Sequence, residues 1–183
     1  MFNFIFKHLQ RISLFFVIAI MITIFILSAQ SAQDSSKLSG EFVEIIIKIF
    51  IPGYDNFSFL QKQEIIDNLS FFVRKAAHFT EFASLGFFSM LYSITIGNIL
   101  KQFNYKIFLR SVIVWFFGTF YAVTDEIHQS FVKDRHSSIY DVLIDSSGVL
   151  FGIVLLIIFF IFFKKLILNK KKGKKFKNFL PSN

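Results

Sequence analysis

Four apolar runs limit what this chain can become: Ile12–Leu27, Ala77–Leu100, Ile107–Val123 and Val142–Phe163. The last three are each close to the ~20 residues that a bilayer crossing needs. In hydrocarbon the backbone donors and acceptors of such a run must be satisfied within the segment, so each is expected to be a helix. With 54% hydrophobic residues in 183, the chain has room for one domain and is too apolar for an ordinary soluble fold. The sequence therefore predicts an all-α protein, a four-span transmembrane helical bundle. Residues 1–166 make up the transmembrane domain and residues 167–183 a basic tail.

Lys7 and Arg11 precede the first run and the small polar stretch Ser28-Ala29-Gln30-Ser31-Ala32 follows it. That stretch resembles a signal-peptidase site, so a cleaved leader is the rival reading; the run is long for a leader core, and a retained first span is expected. After it, Phe42, Ile45, Ile46, Ile49 and Phe50 repeat at helical spacing opposite Glu41, Glu44 and Lys48. This predicts a short amphipathic helix, lying in the membrane interface or packed as a lid over the spans. A turn at Pro52-Gly53 ends it, and another helix starts near Ser58 and runs into the Arg74 cluster.

The net charge of +8 comes largely from the lysines between Lys164 and Lys177. Directly after a span, such a run reads as contact with anionic membrane lipids and as a topology signal rather than as a nucleic-acid site. Lys101, Lys106 and Arg110 are expected in the short connection between spans two and three. With Lys7 and Arg11 they predict both termini in the cytoplasm of a multi-pass membrane protein. The absence of cysteine excludes disulfides, thiolate nucleophiles and Cys-ligated metals. The 29 Phe are taken as compositional bias and given no binding role.

Against this apolar background two polar clusters stand out, because an ionisable side chain beside a span is costly and usually has work to do. Arg74, His78 and Glu81 fall on one helical stripe, and Asp125, His128 and Gln129 share another face at i, i+3 and i+4. Asp141 and Asp145 form a further i, i+4 pair, and Arg135 lies on the loop between. His78, Glu81, Asp125 and His128 are the candidates for acid–base work; Arg74, Gln129, Arg135, Asp141 and Asp145 are the candidates for holding a substrate. Imidazole and carboxylate together would also suit a divalent metal, although the spacing differs from HExxH. No glycine-rich phosphate loop, GxSxG elbow or SxxK motif is present.

The structural alternative is a salt-bridge network in which Arg74 and Arg135 neutralise Glu81, Asp125, Asp141 and Asp145 and so pin the helices. Carboxylates outnumber guanidiniums in that set, which leaves room for a bound cation, a raised carboxyl pKa or a ligand with a positive group. Glu126 and His136 read as solvated or loop residues, Trp115 as core, and the Gly148/Gly152 pair as a close-packing step.

RKAAHFTEFASLG from Arg74 and DEIHQSFVKDRHSSIYDVLIDSSGVLFG from Asp125 resemble the VanZ-like family of bacterial membrane proteins. The resemblance implies a small helical membrane protein, and the family's namesake is associated with teicoplanin resistance. The chain departs from the pattern at Phe82, where the family often has Tyr, and at Lys133-Asp134, where it commonly has Pro-Gly. Two readings of function follow. One is an enzyme that modifies a lipid-linked or cell-wall precursor; the other is a non-catalytic binding or assembly protein.

Overall fold

A computed structural model of the protein describes residues 2–96 and 103–177. Among these residues the fold is all-helical: α1 (Phe2–Ser28), α2 (Ala32–Phe50), a single 3-10 turn at Tyr54–Asn56, α3 (Phe59–Thr95), α4 (Phe103–Gln129) and α5 (Ile139–Lys177). Three helices contain stretches long and apolar enough to cross a membrane, Lys7–Ser28, Lys106–Gln129 and Ile139–Phe163. Large apolar side chains such as Phe15, Phe25, Phe108, Phe116, Phe120 and Phe159 stand exposed on those helices. Water would not tolerate that much contiguous apolar surface, whereas lipid would.

The expected second span is part of α3, one helix that begins 18 residues before Ala77. Ser58 starts it with a capping box: its Oγ accepts from Gln61 N at 3.4 Å, and its own N–H donates to Gln61 Oε1 at 3.0 Å. Lys62, Glu64, Asp67, Arg74, Lys75 and Glu81 all lie in its first part, whereas Phe82, Leu85, Met90 and Ile94 are buried in the last. Leu100 and Lys101 lie outside the described residues. Lys106 and Arg110 belong to the first turns of α4 rather than to a loop, and the guanidinium of Arg110 donates to the Ser93 carbonyl at the end of α3.

Helix α3 is the hub, packing against α1, α2, α4 and α5. Its contact with α5 is backbone to backbone. A Cβ built on Gly86 would fall under 3.0 Å from Val149, and one on Gly148 or Gly152 would do the same to Phe79 or Ala83. The Gly148/Gly152 step thus works as its spacing predicts, bringing two helices together where any side chain would hold them apart. Around this seam Phe82, Leu85, Met90, Val149 and Ile153 form the core, with Ile24 from α1 and Ala122 from α4 completing it.

Polar contacts fix the other helix pairs. Tyr121 donates its hydroxyl hydrogen to the Met21 carbonyl at 2.7 Å, tying α4 to α1. Trp115 Nε1 donates to Ser146 O at 3.3 Å, and Thr119 and Ser146 share a hydrogen bond of 2.8 Å, tying α4 to α5. Helix α2 packs through Val43 and Ile47, with Tyr54, Ile65, Ile66 and Val73 around them. Phe42, Ile45, Ile49 and Phe50, the apolar positions singled out in the sequence, remain exposed. Helix α5 continues to Lys177, well into the lysine-rich stretch.

Candidate functional site

The polar residues gather at one end of the bundle, where α1 and α4 finish, α5 begins, and α3 passes through its polar first part. The loop from Ser130 to Ser138 closes that end, held by the Arg135 N–H to Val132 O bond at 3.2 Å and by Ala32 N donating to Lys133 O at 3.4 Å. Within it Asp134 takes a positive φ of 59°, a left-handed conformation that asparagine, aspartate and above all glycine accept.

Asp125 is buried, and its Oδ2 accepts from Ser28 Oγ and from Gln129 Nε2, each at 2.8 Å. Gln129 in turn accepts from Arg135 at 2.9 Å through Oε1. This chain of bonds orders α1, α4 and the loop together, and Ser28 is a member that no sequence pattern marked. Glu126, expected to be solvated, is instead buried: its carboxylate caps the loop end by accepting from Ser138 N at 2.8 Å.

The salt-bridge network expected from the sequence does not form. Among the described residues the ion pairs are Glu44 with Lys48, exposed on α2, and Lys75 with Asp141, between α3 and α5. Arg74 donates to the neutral hydroxyls of Ser36 at 2.8 Å and Ser39 at 3.4 Å. Arg135 reaches Gln129 and not Asp145. Burial lowers the Arg135 pKa from its ordinary value, with Asp125 opposing the shift; a guanidinium remains cationic regardless. Two arginines therefore face the interior with neutral partners only.

Two cavities meet here. The polar one, about 170 Å³, is lined by Arg74, Lys75, His78, Gln129, Arg135, His136, Asp141 and Asp145, with Ser35, Ser36 and Glu126 at its edges. The apolar one, about 350 Å³, lies between α1, α2 and α3, lined by Leu27, Leu38, Phe42, Val73 and Ala77, with Glu81 on its wall. Ser35, Arg74, His78 and Arg135 line both.

Six of the nine candidate residues share the polar chamber; Glu81 lines only the apolar cavity, Asp125 lines neither, and the third outside the chamber is His128. Its ring stacks on Phe25 of α1, with centroids 4.4 Å apart and planes 11° from parallel, and its Nδ1 is buried without a hydrogen-bond partner. It lines neither cavity. His136 and Lys75, given no role by spacing alone, do line the polar one. His78, Asp125 and Asp145, one each from α3, α4 and α5, bring ligand-capable atoms within 4.8 Å of one another.

No curated protein and no solved structure shows a significant match to the chain. Residues 13–162, which hold all five helices in whole or in part together with both cavities, match the VanZ/LLP1 family, and the chain belongs to that family.

Proposed function

We propose that this VanZ/LLP1 protein binds the anionic headgroup of a lipid-linked or cell-wall molecule in the polar chamber, with the lipid chain in the adjoining apolar cavity. The observation that carries this reading is the shared wall. Arg74 and Arg135 stand between a polar and an apolar space, and neither is paired with a carboxylate. Arginine recognises phosphate and carboxylate through paired, charge-assisted hydrogen bonds, and a guanidinium whose protein partners are neutral keeps that capacity. An amphiphile with a phosphate at one end matches both spaces.

In this reading α3 is the fourth membrane crossing. About 20 residues up to Thr95 would span ~30 Å, the thickness of the hydrocarbon core; the preceding turns carry Lys62, Glu64, Asp67, Arg74 and Lys75 out of it, and Glu81 alone of the charged residues of α3 stays within. Helix α2 lies in the interface with Phe42, Ile45, Ile49 and Phe50 toward lipid. The lysine-rich end and both termini are cytoplasmic, so the chamber opens on the outer face of a bacterial plasma membrane, where glycopeptides and wall precursors meet.

The test is binding of a short polyprenyl phosphate, and of the matching polyprenol, to the purified full chain in nanodiscs, read by native mass spectrometry. The phosphate is expected to bind at least ten-fold more tightly, and Arg74→Gln with Arg135→Gln should abolish the difference. Equal binding of phosphate and alcohol refutes headgroup recognition. The glycopeptide connection is tested by expressing the chain in a susceptible host: reduced teicoplanin susceptibility that Arg135→Gln removes supports it, and unchanged susceptibility counts against it.

A further inference from the structure

We infer that His78, Asp125 and Asp145 form a divalent-cation site at the floor of the polar chamber, one ligand from each of α3, α4 and α5. Asp145 carries the argument. It is 1% exposed, and neither of its carboxylate oxygens has a hydrogen-bond partner. A carboxylate buried that deeply without donors is strongly disfavoured, and in proteins such groups are paired or bound to metal. No side-chain cation supplies the pairing, since Lys75 is taken by Asp141 and Arg135 by Gln129.

The surroundings suit an ion. Ligand-capable atoms of the three residues lie within 4.8 Å of one another. Metal–ligand bonds of ~2.0–2.2 Å bring neighbouring ligands to roughly 3–3.5 Å, so the widest pair of side chains needs to close by at most about 1.3–1.8 Å. Asp125 is already oriented: Ser28 and Gln129 hold its Oδ2 and leave Oδ1 without a hydrogen bond, the outer support that metal ligands characteristically have. Two carboxylates and a neutral imidazole give the site two negative charges, which a dication cancels. One nitrogen and two oxygens favour Mn²⁺ or Zn²⁺ over soft ions. His78 and Asp145 also line the cavity, so the coordination positions the protein leaves open face the chamber. There an ion would polarise or bridge a bound phosphate oxygen. The inference concerns the chamber of the preceding reading but does not require that its occupant be a lipid.

The experiment uses the full chain in detergent without added phospholipid, stripped with EDTA and titrated with Mn²⁺ alone under electron paramagnetic resonance, with Zn²⁺ as competitor. One ion per chain is expected, displaced by Zn²⁺. Asp145→Asn and Asp125→Asn should each weaken it at least about 100-fold, beyond what loss of an outer-shell partner does. Asp67→Asn, an exposed carboxylate on the same helix as His78, should leave it unchanged. The thermal midpoint of the wild-type chain, read from Trp115 fluorescence, should rise with saturating Mn²⁺; this arm stands even if a variant fails to fold. Absence of a saturable ion, an unmoved midpoint, or equal binding by wild type and Asp145→Asn overturns the site and leaves a proton as the occupant of Asp145. Polyprenyl phosphate binding measured with Mn²⁺ and again in EDTA separates the two readings: no lipid binding in either condition with Mn²⁺ binding intact rejects the lipid alone, and lipid binding in both conditions without a saturable ion rejects the ion alone.

Discussion

Replacing Gly148 by alanine adds one methyl group where α3 and α5 touch through their backbones. The new Cβ would lie 2.5 Å from the Phe79 carbonyl oxygen, and ordinary contact begins at 3.4 Å, so the helices must part locally by about 0.9 Å. Overpacking of this kind costs ~1–3 kcal/mol, and alanine's better helix propensity returns at most about 1 kcal/mol. A net loss of roughly 1–2 kcal/mol lowers the unfolding midpoint by about 2–8 °C in a chain of this size. Trp115 reports it well: it is the single tryptophan and donates to Ser146 O, two residues from the substitution. The informative control is Gly40→Ala on α2, where the added Cβ meets the Ile66 Cγ2 methyl at 3.3 Å, short of ordinary contact by only about 0.1 Å. There the propensity gain dominates, and the midpoint should hold or rise. The two identical changes are thus expected to differ in sign. Equal shifts in the same direction would refute the view that backbone contact at the α3–α5 seam, rather than glycine content, sets stability.

Exchanging the ion pair between α3 and α5 as Lys75→Asp with Asp141→Lys should recover most of the midpoint that either single change loses, with a coupling of about 1 kcal/mol; additive losses would mean that the pair contributes nothing. Asp134→Gly should raise the midpoint slightly, because glycine accepts a positive φ at lower cost, whereas Asp134→Val should lower it; the same melts decide. Reporter fusions should place Lys175 in the cytoplasm and Asn56 outside, and a cytoplasmic signal at Asn56 would put the chamber on the inner face.

The helices were largely legible in the sequence, because each apolar run and each small-residue step is a local signal. The polar clusters were legible for the same reason, being charges set against apolar background. Their wiring was not. Arg135 is the nearest cation to Asp145 along the chain, yet it bonds to Gln129, and the cation that pairs with an aspartate of α5 is Lys75, from a different helix. Helical spacing places residues on faces but says nothing of how far two helices are rotated about their axes. The same blindness put His128 beside Asp125 on a shared face, although the ring turns away onto Phe25, and treated Glu126 as solvated although the loop folds over it. Lys133-Asp134, the departure from the family's common Pro-Gly, proves compatible with a tight loop because Asp134 adopts the left-handed conformation itself.

His78, Asp125 and Asp145 come from three different helices, the last of them the final helix of the chain. During synthesis α3 and α4 leave the ribosome before α5, so His78 and Asp125 are made before Asp145. The constellation comes into being only when α5 docks, and α5 docks closely only where Gly148 and Gly152 meet α3. A nascent chain halted before Ile139 would lack Asp145, although Asp125 would already have Ser28 and Gln129 as partners. Assembly of this set of residues therefore waits on the docking of α5.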